Sequence, residues 1–188
     1  MQAALRKYND LRNSPGAYAT ELYEQAGYGM GYTFFKMKNY EEAVVSFRRF
    51  VATRQGEARQ RADAMMRIGD SYFVTRYNAN ALKWYSDAAL INAPDKDYAM
   101  YQKGVVQGLL RDAPGKIATL RSLLSERPDS RYAADAKYQL AETYINQNND
   151  AEALRYYGQV IDQHPNSPHV GRACCSAAWC TSGRAIPS

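Results

Sequence analysis

His169, Cys174, Cys175 and Cys180 crowd into one short stretch near the C-terminus and hold all three cysteines of the chain. Thiolates and imidazoles ligate zinc, and a thiol beside a fixed base is a nucleophile, so chemistry is sought here first. The spacing argues against both. Adjacent Cys174 and Cys175 lack the gap that lets two thiolates converge on one ion, and no fixed base stands near a thiol. His164 precedes Pro165 and reads as a polar residue at the negative end of a helix dipole. Glu41 and Glu42 are adjacent acids at a helix start, where the dipole favours them. The alternating glycines of GYGMG at 27–31 sit in a helical pattern with no strand before them, so close helix packing explains them better than a phosphate loop. No P-loop, dinucleotide fingerprint or zincin pattern is present. The expected cofactor and metal content is none, and a metal- or thiol-dependent enzyme using the C-terminal tail stands as the rival reading.

The elements that would position any site come from a chain of 188 residues, 46% hydrophobic and 23% charged, with sixteen Tyr, five Phe and two Trp. So much aromatic mass can offset the ordering entropy, which excludes disorder over most of the length. No apolar run approaches the ~18 residues of a membrane span, and the first residues contain no signal-like apolar stretch. The net charge is +5, but residues 1–170 carry 22 basic against 19 acidic side chains in mixed order. Nucleic-acid binding needs a concentrated basic face, so no nucleic-acid partner is expected.

Apolar residues recur at offsets 0, +1, +4, +7 and +8, one face of an amphipathic helix. The series runs Ala43, Val44, Phe47, Phe50, Val51; then Ala81, Leu82, Tyr85, Ala88, Ala89; then Ala153, Leu154, Tyr157, Val160, Ile161. Lys116 opens a fourth copy with Ile117, Leu120, Leu123 and Leu124, and Ala4 a fifth with Leu5, Tyr8, Leu11 and, imperfectly, Arg12. Before four of these helices stand Gly31, Gly69, Gly104 and Ala141, at intervals of 38, 35 and 37. Phe34, Tyr72, Gln107 and Tyr144 follow three residues later; the copy with Lys103 and Gln107 is the weakest. Asn39 with Glu42 and Asn149 with Glu152 have capping-box spacing. Pro128 and Pro165 end second helices, and Ser14-Pro15 and Ser167-Pro168 are expected to open new ones.

MRIGDSY with ALKWY, and YQLAETY with ALRYY and Pro165, resemble the tetratricopeptide repeat family. The resemblance covers about residues 1–170. It implies an all-α fold, a right-handed α-solenoid of antiparallel helix pairs, with an orphan helix at about 3–12 and repeats at about 24–57, 62–95, 97–130 and 134–167. The turns RPDSRYAADA and HPNSPHV are similar to those of bacterial envelope members, the outer-membrane assembly lipoprotein and the Tol-associated periplasmic coordinator. That similarity points to the periplasm or cell envelope, with the cytoplasm still open, and the cysteine-free body is compatible with either.

Family geometry places the first helices on a concave face that receives a partner's peptide or helix. By register this face takes Tyr28, Tyr32 and Phe35 from the first repeat and Met66, Asp70 and Phe73 from the second. Tyr98, Tyr101 and Val105 follow from the third, and Tyr138, Glu142 and Ile145 from the fourth. Tyrosines suit recognition through their area, few rotors and hydroxyl, although the same rings can fill gaps between helices. The Lys and Asn clamp of chaperone-binding members is absent: its positions hold Tyr28, Tyr32, Arg67, Tyr98 and Gln102. The expected function is a non-enzymatic protein-interaction scaffold.

Both ends read as cut. The first helix matches a second helix without its partner, which implies a fragment of a longer protein. Residues 171–188 depart from the repeat, where a fifth first helix is due with a small residue near 177–178 and an aromatic near 180–181. Shifting the codons of Ala177 to Thr181 by one base permits Gly-Leu-Val-Tyr there, so the tail is read as an out-of-frame ending.

Overall fold

The computed structural model describes residues 2–16, 20–53 and 57–182, without the side chains of Ala4 and Arg12. Those two members of the first helical series, and the tail residues 183–188 with Arg184, therefore lie outside the described residues. The described chain is all-helical: α1 (Gln2–Arg12), α2 (Glu21–Lys36), α3 (Tyr40–Thr53), α4 (Ala58–Val74), α5 (Asn78–Ala89), α6 (Lys96–Leu109), α7 (Ala113–Glu126), α8 (Ala133–Asn146), α9 (Asp150–Gln163) and α10 (Val170–Thr181). No helix among the described residues is long and apolar enough to cross a membrane.

The chain divides into two compact units, Met1–Leu110 with α1–α6 and Arg111–Ser188 with α7–α10. The boundary falls inside the repeat expected at 97–130, the copy in which Lys103 and Gln107 replace the large apolar and aromatic residues that flank the small residue elsewhere. In the first unit the buried stripe of α3 is Ala43, Phe47 and Phe50, and that of α5 is Ala81, Tyr85 and Ala88, all at most 2% exposed. In the second unit Leu120 and Leu123 of α7 and Ala153, Tyr157 and Val160 of α9 are wholly buried. Offsets 0, +4 and +7 thus form the core, while +1 and +8 flank it except at Val44, which is buried in the α3 cluster. Lys116, standing where the other copies have Ala, is half-buried.

The small residues of the first helices admit the rings of the second. A Cβ built on Gly31 would lie 2.6 Å from the Phe47 ring, and one on Gly69 2.7 Å from the Tyr85 ring. Gly29 serves a different neighbour, because its Cβ would meet the Tyr8 ring of α1 at 2.6 Å. Gly29 and Gly31 therefore let two helices approach α2, which is the packing reading of that motif, while Gly27 faces open space.

The turn inside each helix pair was not legible beforehand. Lys38, Arg76, Arg111 and Asn148 adopt positive φ of 57° to 64° at the 38, 35 and 37 spacing of the small residues. In three of these turns the next amide closes a six-residue loop: Asn39 N–H donates to Phe34 O, Tyr77 to Tyr72 O and Asn149 to Tyr144 O. This is the Schellman arrangement, here with a non-glycine residue in the left-handed position. Three second helices, α3, α7 and α9, then start on side-chain caps, whereas α5 follows Tyr77 without one. Asn39 Oδ1 accepts from Glu42 N–H (3.4 Å), Asp112 Oδ1 from Gly115 N–H (2.9 Å) and Asn149 Oδ1 from Glu152 N–H (3.2 Å).

The ends of α7 and α9 share one turn. Ser130 N–H donates to Arg127 O while Ser130 Oγ accepts from Tyr132 N–H; Ser167 repeats both bonds with His164 O and His169 N–H. Ser167-Pro168 therefore leads into α10, which begins at Val170. Ser14-Pro15 does not open a helix. Its hydroxyl donates back to Asp10 O at the end of α1, Gly16 follows with φ +78°, and α2 starts at Glu21 on the Thr20 cap. Through Thr181 the tail is helical, and it buries Ala173 and Cys180 rather than the expected 177–178 position.

Candidate functional site

The first-helix face of the first unit is built on two acids of α4, one at each end of a short stretch. Asp63 Oδ2 accepts from the Tyr28 hydroxyl (2.6 Å) and from the Tyr32 hydroxyl, both on α2. One helical turn beyond Arg67, Asp70 Oδ1 accepts from Tyr85 of α5 (2.7 Å) and Tyr98 of α6 (2.6 Å). Arg67 lies between the acids, 3.5 Å from Asp63 Oδ1 and 2.5 Å from Asp70 Oδ2. Its guanidinium also faces the rings of Phe35 (5.9 Å) and Tyr98 (5.6 Å). One cation and two carboxylates thus fix the orientation of four phenols.

Ionisation follows from that arrangement. Burial and the Asp63 carboxylate push Tyr32 up to about 12 and raise Tyr28 further. Burial and then Asp70 raise Tyr85 and Tyr98 well above the ordinary phenol range. Burial alone would lower Arg67, but Asp70 and Asp63 outweigh it and raise it. The phenols stay neutral donors and the arginine stays charged at any physiological pH.

The second unit places related groups on α8 and its neighbours. Glu142 accepts from the Tyr157 hydroxyl, and burial followed by Glu142 raises that phenol. His169 Nε2 lies 2.6 Å from Asp135 Oδ1, and its ring stacks on Tyr138 at 4.5 Å with Arg172 5.2 Å from the same phenol ring. Lys116 Nζ donates to Gln139 Oε1 (2.7 Å), and burial lowers its pKa against the pull of Glu142. Lys137, 9% exposed, donates to Gln163 Oε1 (2.6 Å) and reaches His164 Nε2 (3.0 Å).

Of the residues assigned to the face by register, Tyr28, Tyr32, Phe35, Phe73, Tyr98, Tyr101, Val105, Glu142 and Ile145 are half-buried. Met66 (2% exposed), Asp70 (7%) and Tyr138 (4%) are buried beneath it. Met66 packs against Ala88 and Ala99, and Phe73 against the cluster of Ala81, Tyr85 and Val106. Asp63 and Arg67 organise the first-unit face, although register arguments about aromatic rings passed over Asp63. Its signal was available: acids stand six residues before the small residue at both Asp63 and Asp135. In the tail, Cys174 and Cys175 are exposed and Cys180 is buried, all as free thiols. No group of three or more potential metal ligands comes together among the described residues.

A family model described as tetratricopeptide repeat matches residues 25–53 and 135–167. Comparison with curated proteins gives no match. Among solved structures the chain is similar to a crystal structure of MamA, at TM-score 0.71 and 18% identity over 88% of this chain and 89% of that one. It is also similar to YrrB, described as a TPR protein with an unusual peptide-binding site, at TM-score 0.69 and 20% identity over 87% and 78% of the two chains. A third is MamA 41-end from Desulfovibrio magneticus RS-1, at TM-score 0.65 and 14% identity over 85% and 91%. The architecture is thus the α-solenoid of tetratricopeptide repeat proteins.

Proposed function

We propose that this chain is a non-enzymatic scaffold that binds a peptide or helix of a partner protein along the first-helix face of its repeats. The observation that carries the reading is the Asp63–Arg67–Asp70 ladder, which holds Tyr28, Tyr32 and Tyr98 in fixed orientations near half-buried Phe35, with half-buried Tyr101 three residues after Tyr98 on α6. Rigid aromatic rings bind at low entropic cost, because little freedom is left to lose on association. The fold it shares with the peptide-binding protein YrrB supports the same reading. The two matching repeat-end turns at Ser130 and Ser167, similar to those of envelope members of the family, favour a bacterial cell-envelope assembly as its setting.

The test is selection of a binding peptide from a random library, followed by titration against variants of each face. Tyr101→Ala and Phe35→Ala should weaken the selected peptide at least tenfold, while a change at exposed Arg48 of α3, Arg48→Ala, should not. The reverse pattern would move the partner to the second-helix face.

A further inference from the structure

The phenols of the ladder donate to acids of their own chain, but those of a second cleft do not. Between α3, the last turns of α4 and the turn that follows lies an open cleft of about 240 Å³, the share of roughly eight waters. Tyr40, Tyr72 and Tyr77 line it, and Tyr77, 63% exposed, meets Tyr72 edge to face at 6.3 Å. Val45, 42% exposed, adds an aliphatic wall. The hydroxyls of Ser71 and Thr75 at the same wall donate to carbonyls of α4, Arg67 O and Ser71 O. The three phenols have no hydrogen-bond partner among the described residues. Apolar rings and open donors thus stand together at an accessible surface.

Two charges lie along the same cleft. Glu41 and Arg48 are exposed on α3, and neither forms an ion pair among the described residues. Seven residues of helix set them about 10 Å apart. The shape of an occupant follows. α3 and α4 share one buried cluster through Phe47, Ala64 and Ile68, so a partner helix, about 10 Å across with its side chains, does not enter between them. No strand edge exists among the described residues for an extended chain to pair with. A left-handed polyproline segment meets each feature: its carbonyls accept from phenols, its rings pack on aromatic faces, and its order before binding keeps the entropic cost low. Its positions i and i+3 share a face and lie about 9 Å apart, close to the spacing of Glu41 and Arg48.

We infer that this cleft binds a proline-rich segment of a partner protein that carries a basic and an acidic residue three positions apart, the base on Glu41 and the acid on Arg48. Prolines between and beside the charges pack on Tyr40, Tyr72 and Tyr77. The cleft shares no side chain with the tyrosine face of the ladder. A peptide selected by that face is therefore untouched by a change at Arg48, whereas this one is weakened.

The test titrates the whole chain with acetyl-Pro-Arg-Pro-Pro-Asp-Pro amide, following backbone amide shifts by NMR. Val45, Thr75 and Tyr77 should shift saturably, with a dissociation constant on the order of 0.1–1 mM. Acetyl-Gly-Arg-Gly-Gly-Asp-Gly amide keeps the charges without the rings or the stiffness, and should bind about tenfold more weakly. Tyr77→Ala should weaken the proline peptide by a similar factor, and Tyr101→Ala should leave it unchanged. Arg48→Gln should weaken the charged peptide but not its neutral counterpart, acetyl-Pro-Gln-Pro-Pro-Asn-Pro amide. Absence of saturable shifts, equal binding of the glycine peptide, no effect of Tyr77→Ala, or equal loss of the charged and neutral peptides on Arg48→Gln would each overturn the inference. If Tyr77→Ala proves unfolded by circular dichroism, the peptide comparisons on the unaltered chain and on Arg48→Gln decide.

Discussion

The two units use the same register positions with different chemistry. Asp63, Arg67 and Asp70 of α4 correspond to Asp135, Gln139 and Glu142 of α8. In the first unit the central residue is a cation that pairs with both acids, closely with Asp70 and at 3.5 Å with Asp63. In the second it is a neutral amide, which accepts from Lys116, while Asp135 and Glu142 are served separately by His169 and Tyr157. The contrast shows that acids at these positions serve first to anchor tyrosine and histidine rings between helices. Only the rings left partly open above them are free to meet a partner.

Several substitutions can break or sharpen that comparison. The largest effect is expected in the shared core: Tyr157→Ala should cost about 3–5 kcal/mol by denaturant unfolding, as full aromatic truncation does. A cost below that of a surface change would remove the buried-stripe account. Next comes the central residue of each ladder. Arg67→Ala should cost about 2–3 kcal/mol, toward the lower side of a broken buried pair because its side chain is 25% exposed. Gln139→Ala should cost only about 0.5–1.5 kcal/mol, the net value of a single hydrogen bond. Equal costs at the two positions would erase the distinction between the units.

The glycines of α2 give a smaller and signed effect. Gly31→Ala should destabilise by about 1–3 kcal/mol, since its Cβ meets the Phe47 ring at 2.6 Å. Gly27→Ala, with open space around it, should instead stabilise by up to about 1 kcal/mol. If both destabilise alike, helix packing is not what the motif is for. Alkaline titration probes the ladder itself. Tyr32 is raised to about 12 from an ordinary value of about 10, so its contribution is complete below pH 10 and is lost as the pH rises through 12. Tyrosinate absorbance should show Tyr32 ionising late, by difference from Tyr32→Phe. Ionisation of Tyr32 near pH 10 in the folded chain would contradict the bond to Asp63.

Much of this was legible in the sequence because packing repeats leave periodic residues. Ala43, Phe47 and Phe50 announced a buried stripe, Gly31 and Gly69 announced close approach, and Asn39 and Asn149 announced caps. The left-handed turn residues were missed because Lys38, Arg76, Arg111 and Asn148 are not glycine, and only their position seven residues after each small residue marks them. Ser14-Pro15 misled because a hydroxyl before proline can close the helix behind it as well as open one ahead. The candidate face was legible as a set of aromatic positions. Its chemistry was not, since the pairing of Tyr28 and Tyr32 with Asp63 spans 35 and 31 residues and depends on how consecutive repeats stack.

The central claim is that the first-helix face of the first unit recognises a partner while the second-helix stripe holds the fold. The direct measurement compares Tyr101→Ala with Tyr85→Ala in affinity for a selected peptide, by titration calorimetry, and in stability, by denaturant unfolding. Tyr101 is half-buried on α6 and Tyr85 is 1% exposed on α5. Tyr101→Ala should weaken binding by about 1–3 kcal/mol and should destabilise the chain less than Tyr85→Ala, which should cost about 3–5 kcal/mol. Equal destabilisation by the two, with Tyr101→Ala leaving peptide affinity intact, would put Tyr101 in the core and contradict the groove.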